Sequence, residues 1–162
     1  MVVLLGTDHH PFSRLVEWVD RWAGDHPDFS CLIQRVPAPP PRHARSCEFL
    51  PFDDLQTVLA GADVLVGHAG PGVIMDAHAA GRLPIIVPRL ARFGEVVDDH
   101  QVAFASWMHQ RRQAVLATDE AALHQLITDA VDRPGDFALE ASHEADRVVE
   151  RIGDLIDGLL AP

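Results

Sequence analysis

The sequence predicts an α/β fold in which helices cover both faces of a parallel sheet. Short apolar runs that end at glycine or proline alternate along the chain with segments whose apolar residues recur every three or four positions. Strands that alternate with helices form parallel sheets, so we expect a Rossmann-like, three-layer parallel sheet. With 162 residues the chain has the length of one domain. We place that domain at 1–162, with C-terminal helices over 119–160.

The first strand and helix follow directly from the N-terminal residues. Residues 2–5 are an apolar run that ends at Gly6, which is typical of a buried strand. A turn follows, and Pro11 suits the first turn of a helix. Apolar residues then recur from Phe12 at helical spacing, and we expect this helix to end at Gly24.

The next segment predicts two strands, one loop and one helix. Residues 29–36 and 47–50 are expected to be the second and third strands. The proline-rich run 37–41 between them can be neither helix interior nor central strand, so we expect a surface loop. Residues 52–60 are predicted to form the second helix.

A glycine-rich turn between a strand and a helix marks the middle of the chain. Residues 63–67 are expected to be a buried strand, and the turn 68–72 leads into a helix over 73–80 that Gly81 closes. Residues 83–88 form another apolar run between two prolines, which predicts a fifth strand.

The last part of the chain predicts one more strand and three helices. A loop over 89–97 leads to a helix that Asp98 caps and that runs to about residue 111. Residues 114–116 are expected to be a strand, and Asp119 caps a helix that runs to about residue 131. The apolar spacing over 137–160 predicts a final helix.

The charge of the chain narrows the kind of ligand. The net charge is −11, and all 13 basic residues are arginine. Without lysine the chain has neither Schiff-base chemistry nor a P-loop, and it lacks the basic footprint of a nucleic-acid-binding surface. An anionic small molecule would have to be held by helix N-termini and single arginines. Cys31 and Cys47 lie too far apart in the sequence for a metal-binding or redox pair, so we expect both to be buried thiols. We expect no bound metal and no cofactor.

The sequence has no apolar stretch of membrane-spanning length and no basic segment before its short N-terminal apolar run. We therefore expect a cytoplasmic protein.

Three loops at strand ends suit an anion, because ligands of open α/β sheets bind outside the carboxyl ends of the strands. They are Gly6-Thr7, the turn 68–72 and the loop 88–99. Asp76 lies one turn into the helix that follows the second loop, where a carboxylate can accept the hydroxyls of a ribose. Each feature alone also fits an ordinary tight turn or a solvated helix residue.

Together these residues resemble a known family. Residues 63–89 contain a strand, His-Ala-Gly-Pro-Gly, a helix with an acidic residue, Ala-Ala-Gly and a second strand ending in Val-Pro, and they are similar to the C-terminal domain of glycosyltransferase family 28. The tetrapeptide 98–101 matches the family's Asp-x-x-Gln helix start. Residues 5–16 resemble the opening of its stand-alone members, the small catalytic subunits of two-subunit transferases. The resemblance covers roughly residues 1–117.

The resemblance implies a GT-B half-domain that binds a UDP-sugar as substrate, with a role for each matching residue. It implies that Gly6 and Thr7 lie at the diphosphate and that the loop beside the nucleotide contains His68, Ala69, Gly70 and Gly72. Asp76 would accept hydrogen bonds from the ribose hydroxyls, and His100 and Gln101 would reach the sugar. Arg89 and Arg92 would neutralise phosphate charge. The family usually has glutamate at position 76.

The resemblance also implies a partner, because a GT-B enzyme reacts in the cleft between two halves and this chain has the length of one. We expect a membrane-anchored, acceptor-binding glycosyltransferase subunit that holds the chain at the inner face of the membrane, with a homodimer left open. Transfer would be inverting, with His68, His9 and His10 as local candidates for the general base. Two alternatives remain. One is a non-catalytic UDP-sugar-binding or scaffolding protein. The other is a Rossmann-like enzyme such as a nucleotide-sugar epimerase, against which the lack of Gly-x-Gly-x-x-Gly after the first strand weighs.

Overall fold

A computed structural model describes residues 1–139. Within this range six parallel strands form one sheet in the order β3-β2-β1-β4-β5-β6. The strands are β1 (Val2–Leu4), β2 (Leu32–Gln34), β3 (Arg45–Cys47), β4 (Leu65–His68), β5 (Ile85–Val87) and β6 (Val115–Leu116). This order is that of a doubly wound sheet, and the expected Rossmann-like fold class is confirmed.

Helices connect most of the strands and cover the sheet. They are α1 (Ser13–Asp25), α2 (Phe52–Ala60), α3 (Pro71–Ala79), α4 (His100–Gln110) and α5 (Glu120–Asp132), with short 3₁₀ turns at Ala91–Phe93 and Pro134–Phe137. None of the helices within residues 1–139 is long and apolar enough to cross a membrane.

Alternate residues of the central strands build two separate apolar layers. Val3 and Leu5 face the layer formed with α1 and α5, whose α1 residues follow the predicted spacing. Val2 and Leu4 face the opposite layer, formed with α2 and α3. Successive side chains of a strand point to opposite faces, so one apolar run supplies both layers. This packing holds the carboxyl end of β1 in the middle of the sheet.

The proline-rich segment replaces a helix between β2 and β3, as the sequence predicts. The carboxylate of Asp20 on α1 holds its end by accepting the backbone N–H groups of Arg42, His43 and Ala44 at 2.7–3.0 Å. Burial alone would raise the pKa of Asp20, but these donors outweigh it and the pKa falls below its ordinary value. One carboxylate therefore ties this loop to α1.

Several predicted boundaries differ from the structure. The second strand is shorter than 29–36. The third lies mostly before the predicted 47–50, since β3 spans Arg45–Cys47 and its register pairs Cys47 with Gln34, the last residue of β2. Helix α3 begins at Pro71, two residues before the predicted start.

The predicted cap of the fourth helix was wrong by one residue. Asp99, not Asp98, directly precedes α4. Asp98 still accepts the N–H of His100 at 2.9 Å, while the carboxylate of Asp99 turns back and accepts the N–H of Ala91 at 2.9 Å. The prediction that Asp119 caps α5 is confirmed by its 2.9 Å bond from the N–H of Ala122.

The predicted helix over 137–160 does not begin at Phe137. Phe137 ends a 3₁₀ turn and is buried, and Ala138 then forms an antiparallel bridge with Arg82. The remainder of that predicted helix, from residue 140 onward, lies outside the described residues.

Candidate functional site

The candidate site is a cavity of about 330 Å³ at the carboxyl ends of β1 and β4. The strand order reverses between these two neighbouring strands, and doubly wound sheets bind their ligands in the crevice at such a switch point. Of the predicted site residues, six line the cavity: Gly6, Thr7, His68, Gly70, Gly72 and Asp76. The fold therefore brings the first two predicted loops together.

The imidazole of His68 forms the floor of the site between two glycines. A Cβ atom at Gly6 would lie 2.6 Å from Cε1 of His68, and a Cβ atom at Gly70 would lie 2.2 Å from Nε2. Both distances are shorter than any normal contact, so the ring occupies space that only glycine leaves open. Gly6 also has φ +75°, a conformation that glycine adopts without strain. Gly70 has extended backbone and Gly72 does not have a positive φ, so close approach rather than backbone conformation accounts for Gly70.

His68 is a neutral imidazole at physiological pH. Burial and then the positive charge of Arg89 lower the pKa of His68 to about 4. Its Nδ1 is buried and has no hydrogen-bond partner among the described residues. A group with this pKa is a weak base at neutral pH, so the ring is better suited to donating one hydrogen bond to a ligand oxygen than to removing a proton.

The N-terminus of α3 opens into the same cavity. The N–H of Gly70 is used by the carbonyl of His68 at 2.8 Å, and Pro71, the first helical residue, has no N–H. The next two N–H groups, of Gly72 and Val73, have no partner within the helix because first-turn donors lie beyond the reach of its carbonyls. A helix N-terminus of this kind favours an anion such as phosphate.

Asp76 is the acidic residue of the cavity. It lies in α3, is partly exposed, and contributes to the cavity wall beside Gly72 and Val73. Helical side chains lean towards the N-terminus of their helix, which directs this carboxylate towards the strand ends. Carboxylate oxygens in such a position can accept two hydroxyl groups of a sugar.

The far wall contains residues that the sequence analysis did not assign to the site. Phe49, Leu50 and Leu55 give it an apolar surface, and 64% of Phe49 is exposed. Gln34 lies at the end of β2 and donates from Nε2 to the carbonyls of Gly6 and Glu48 at 3.1 and 3.2 Å. The signal that could have found three of them is their position, since Gln34 is the last residue of β2 and Phe49 and Leu50 follow the carboxyl end of β3.

Arg89 lies outside the cavity, contrary to its expected phosphate contact. Its side chain is fully buried, and its guanidinium donates to the carbonyls of His10, Glu95 and Leu5 at 2.8–2.9 Å. The same group lies over the ring of Phe12, 4.7 Å from the centroid. Arg89 therefore fastens the loop after β1 to the loop after β5.

Four further predicted residues also lie outside the cavity. Gln101 is buried and its Oε1 accepts the N–H of Arg89 at 3.2 Å. Ala69 is buried and packs against apolar residues of α3, β5 and α4. His100 is exposed and paired with Asp98. Arg92 lines a separate cleft, so none of the residues predicted from the third loop and the helix start after it lines the cavity.

A second groove, of about 430 Å³, lies between α1 and the proline loop. It contains none of the predicted site residues and none of the glycine turns at the strand ends. We place the site in the smaller cavity, because it lies at the carboxyl ends of β1 and β4, where the strand order reverses, and six of the predicted site residues line it.

Comparisons with known proteins identify the family. The sequence model of the family described as "Glycosyltransferase family 28 C-terminal domain" matches residues 33–154. This range is well over half of the chain and includes β4, α3, β5 and the loop that follows.

Two curated relatives are similar over part of their length. A UDP-N-acetylglucosamine–N-acetylmuramyl-(pentapeptide) pyrophosphoryl-undecaprenol N-acetylglucosamine transferase from Ralstonia nicotianae is 28% identical over 119 residues, which are 70% of this chain and 31% of that protein. The UDP-N-acetylglucosamine transferase subunit ALG13 from Yarrowia lipolytica is 28% identical over 67 residues, 41% of this chain and 32% of that protein. The chain therefore spans about a third of the length of these relatives.

Solved structures show the same fold. The glycotransferase of kitacinnamycin aligns with a TM-score of 0.58 and 19% identity, over 83% of this chain and 35% of that chain. MurG from Acinetobacter baumannii aligns with a TM-score of 0.56 and 18% identity, over 83% of this chain and 42% of that chain. At these identities the likeness concerns the fold.

Proposed function

This chain belongs to the glycosyltransferase family 28 C-terminal domain family, and we propose on that premise that its cavity binds the nucleotide-sugar donor of a glycosyl transfer. The observation that carries the proposal is the convergence of the α3 N-terminus, Asp76 and an apolar wall in one cavity at the switch point of the sheet.

The shape of the cavity suggests an orientation for the nucleotide. The flat base would pack on the apolar surface of Phe49, Leu50 and Leu55. The ribose hydroxyls would donate to Asp76. The diphosphate would accept the N–H groups of Gly72 and Val73 and reach the Gly6 turn, with one further hydrogen bond from the neutral ring of His68.

UDP is the proposed nucleotide, because both curated relatives carry UDP-N-acetylglucosamine in their names. The sugar is proposed to be of the hexose type. The pocket lies at the carboxyl ends of the strands and is open to solvent, so the sugar would extend out of it, towards a second protein surface.

We further propose that the active site is composite. The chain spans about a third of the length of its curated relatives, and the Yarrowia lipolytica relative is named a transferase subunit. A membrane-anchored partner that binds the acceptor would supply the other half of the cleft. Transfer would be inverting, with the charge of the leaving UDP stabilised by the α3 N-terminus. Because His68 is a weak base, the proton acceptor would be His9, His10 or a group of the partner.

The test is calorimetric titration of the purified chain with UDP, UDP-N-acetylglucosamine, UDP-glucose and NAD. We expect the UDP compounds to bind and NAD not to bind. Asp76→Ala should weaken UDP binding about tenfold, the loss of roughly one charge-assisted hydrogen bond. Asp63→Ala is the matched control, because Asp63 is exposed at the opposite, amino-terminal end of β4.

A second ligand separates a ribose contact from a general effect. The wild type should bind UDP more tightly than 2′-deoxy-UDP, and Asp76→Ala should bind both equally. Absence of UDP binding, or a preference for NAD, would contradict the proposal. Binding without sugar transfer in a complex reconstituted with its partner would point to the non-catalytic alternative.

A further inference from the structure

Two sides of the candidate cavity come from strands that do not pair with each other. The Gly6 turn follows β1, whereas Phe49 and Leu50 follow β3. Strand β2 lies between β1 and β3 and pairs with both. In the proposed orientation the base packs on Phe49 and the diphosphate reaches the Gly6 turn. One ligand therefore has to meet two segments that share no direct strand pairing.

Gln34, the last residue of β2, links these two segments through its side chain. Its Nε2 donates to the carbonyl of Gly6 at 3.1 Å and to the carbonyl of Glu48, the residue before Phe49, at 3.2 Å. A side-chain amide has two N–H groups, so these hydrogen bonds use both donors and fix the orientation of the amide. Because one nitrogen binds both carbonyls, their oxygen atoms cannot separate by more than the length of two hydrogen bonds.

The backbone around Gln34 makes the same connection. Gln34 pairs in register with Leu4 and with Cys47, which are the last residues of β1 and β3. Its carbonyl accepts the N–H of Leu5 at 3.2 Å, and the N–H of Arg35 donates to the carbonyl of Cys47 at 3.0 Å. The side chain of Gln34 therefore continues the ladder of hydrogen bonds past the ends of the strands.

The burial of Gln34 shows that its hydrogen bonds matter. The residue is only 6% exposed although it lines the cavity, whereas glutamine is mostly exposed in proteins. A buried polar group is unfavourable unless it is hydrogen-bonded, and an apolar side chain of similar size would fill the same space without needing partners. The two carbonyls that it binds, rather than packing alone, account for a glutamine at this position.

We propose that Gln34 is a positioning residue of the donor site, which holds Phe49 at a fixed distance from the Gly6 turn so that one nucleotide diphosphate contacts both. The ligand part of this proposal rests on the proposed function. Without the two hydrogen bonds, the segment after the edge strand β3 would move away from the centre of the sheet. A bound nucleotide would then keep its contacts at α3 and lose those of its base.

A double-mutant cycle, measured by calorimetric titration with UDP, separates positioning from a general loss of structure. In the wild type, Phe49→Ala should weaken binding about tenfold, because stacking of the base on an aromatic ring is lost. Gln34→Met should weaken binding by a similar factor. In the Gln34→Met background, Phe49→Ala should then cost less than about twofold, because Phe49 is already out of place. Asp76→Ala acts on the ribose and should cost about tenfold in both backgrounds.

Two further variants complete the cycle. Gln34→Asn keeps a buried amide but is one methylene group shorter, so it cannot bind both carbonyls and should behave as Gln34→Met does. It also replaces the methionine variant if that variant does not fold. Gln125→Met is the matched control, because Gln125 is an exposed residue of α5 that donates to Asp129, and it should bind UDP as the wild type does.

Three results would overturn the proposal. The first is a UDP affinity of Gln34→Met equal to that of the wild type. The second is an equal loss from Phe49→Ala in both backgrounds, which is expected if Gln34 acts only by direct contact with UDP. If the wild type binds no UDP, the proposed function fails, and hydrogen exchange of the ligand-free chain still tests the positioning. The Arg35 amide should exchange at least about tenfold faster in Gln34→Met than in the wild type, and an unchanged rate is the third contradicting result.

Discussion

Gly70→Ala tests whether the His68 ring sets the floor of the pocket. The added Cβ would lie 2.2 Å from Nε2 and 2.8 Å from Cδ2 of His68. Gly70 has φ −106° and ψ 144°, an extended conformation that alanine adopts freely. The substitution therefore changes space and not backbone strain.

The size of the effect depends on where the His68 ring can move. The ring cannot retreat towards Gly6, because it already lies against that glycine, so it can turn only into the cavity that it lines. Forcing one methyl group into a filled site costs about 1–3 kcal/mol. We expect Gly70→Ala to lower the free energy of unfolding by about 2 kcal/mol, measured by urea denaturation, and to weaken UDP binding because the displaced ring enters the cavity.

Gly72→Ala is the matched control. A Cβ at this position meets nothing within 4 Å, and Gly72 lies in the first turn of α3. Alanine is the better helix former, by about 0.4–1 kcal/mol. We therefore expect a stability equal to or slightly above that of the wild type.

A double-mutant cycle assigns the loss to the ring. In His68→Ala/Gly70→Ala the clash is absent, so the double variant should be more stable than the sum of the single losses predicts, by about 1–2 kcal/mol. Additive losses, or a Gly70→Ala variant as stable as Gly72→Ala, would refute the packing of His68 described above.

Three further predictions concern buried charge and helix capping. The pKa of His68 is lowered to about 4, so between pH 6.5 and 4 the unfolded chain binds more protons than the folded chain does. The free energy of unfolding is therefore higher above pH 6.5 and falls on acidification to pH 4, by up to roughly 3 kcal/mol. His68→Gln should flatten this measured pH dependence. Arg89→Met should destabilise the fold by about 3–5 kcal/mol in urea, since three buried carbonyls lose their donor, whereas exposed Arg92→Met should change stability by less than about 0.5 kcal/mol; equal effects would contradict the assignment. Asp119→Ala should cost about 1 kcal/mol by thermal unfolding, because it removes the cap of α5.

The fold could be predicted from the sequence because the patterns that indicate its strands and helices are local. Apolar runs and helical spacing define the elements, and glycine and proline mark their ends. The strand alternation then leads to a parallel sheet, and Gly6 and Gly70 lie at the two strand ends where a doubly wound sheet places its ligand. Boundaries were less readable, since the register with β2 and not the apolar run ends β3 at Cys47.

Only some of the residues in the candidate site could be predicted, because a sequence does not show which way a polar side chain points. Arginine is mostly exposed in proteins, so Arg89 was assigned to the ligand although it is fully buried. Gln101 was assigned to the sugar although it accepts a backbone N–H. Conversely, Phe49 and Leu50 were assigned to a strand, and only the three-dimensional register shows them beside the cavity.

The position of one cavity wall at the edge of the sheet has a consequence for how fast a ligand dissociates. The side of the cavity that contains Gly6 and the α3 N-terminus follows β1 and β4 at the centre of the sheet, whereas Phe49 and Leu50 follow the edge strand β3. Asp20 and the side chain of Gln34 tie this edge to the rest of the domain. Edge segments with few buried contacts open locally far more often than central strands do. We therefore expect the amides of this edge to exchange with deuterium first, and its opening to govern the rate at which a bound nucleotide leaves.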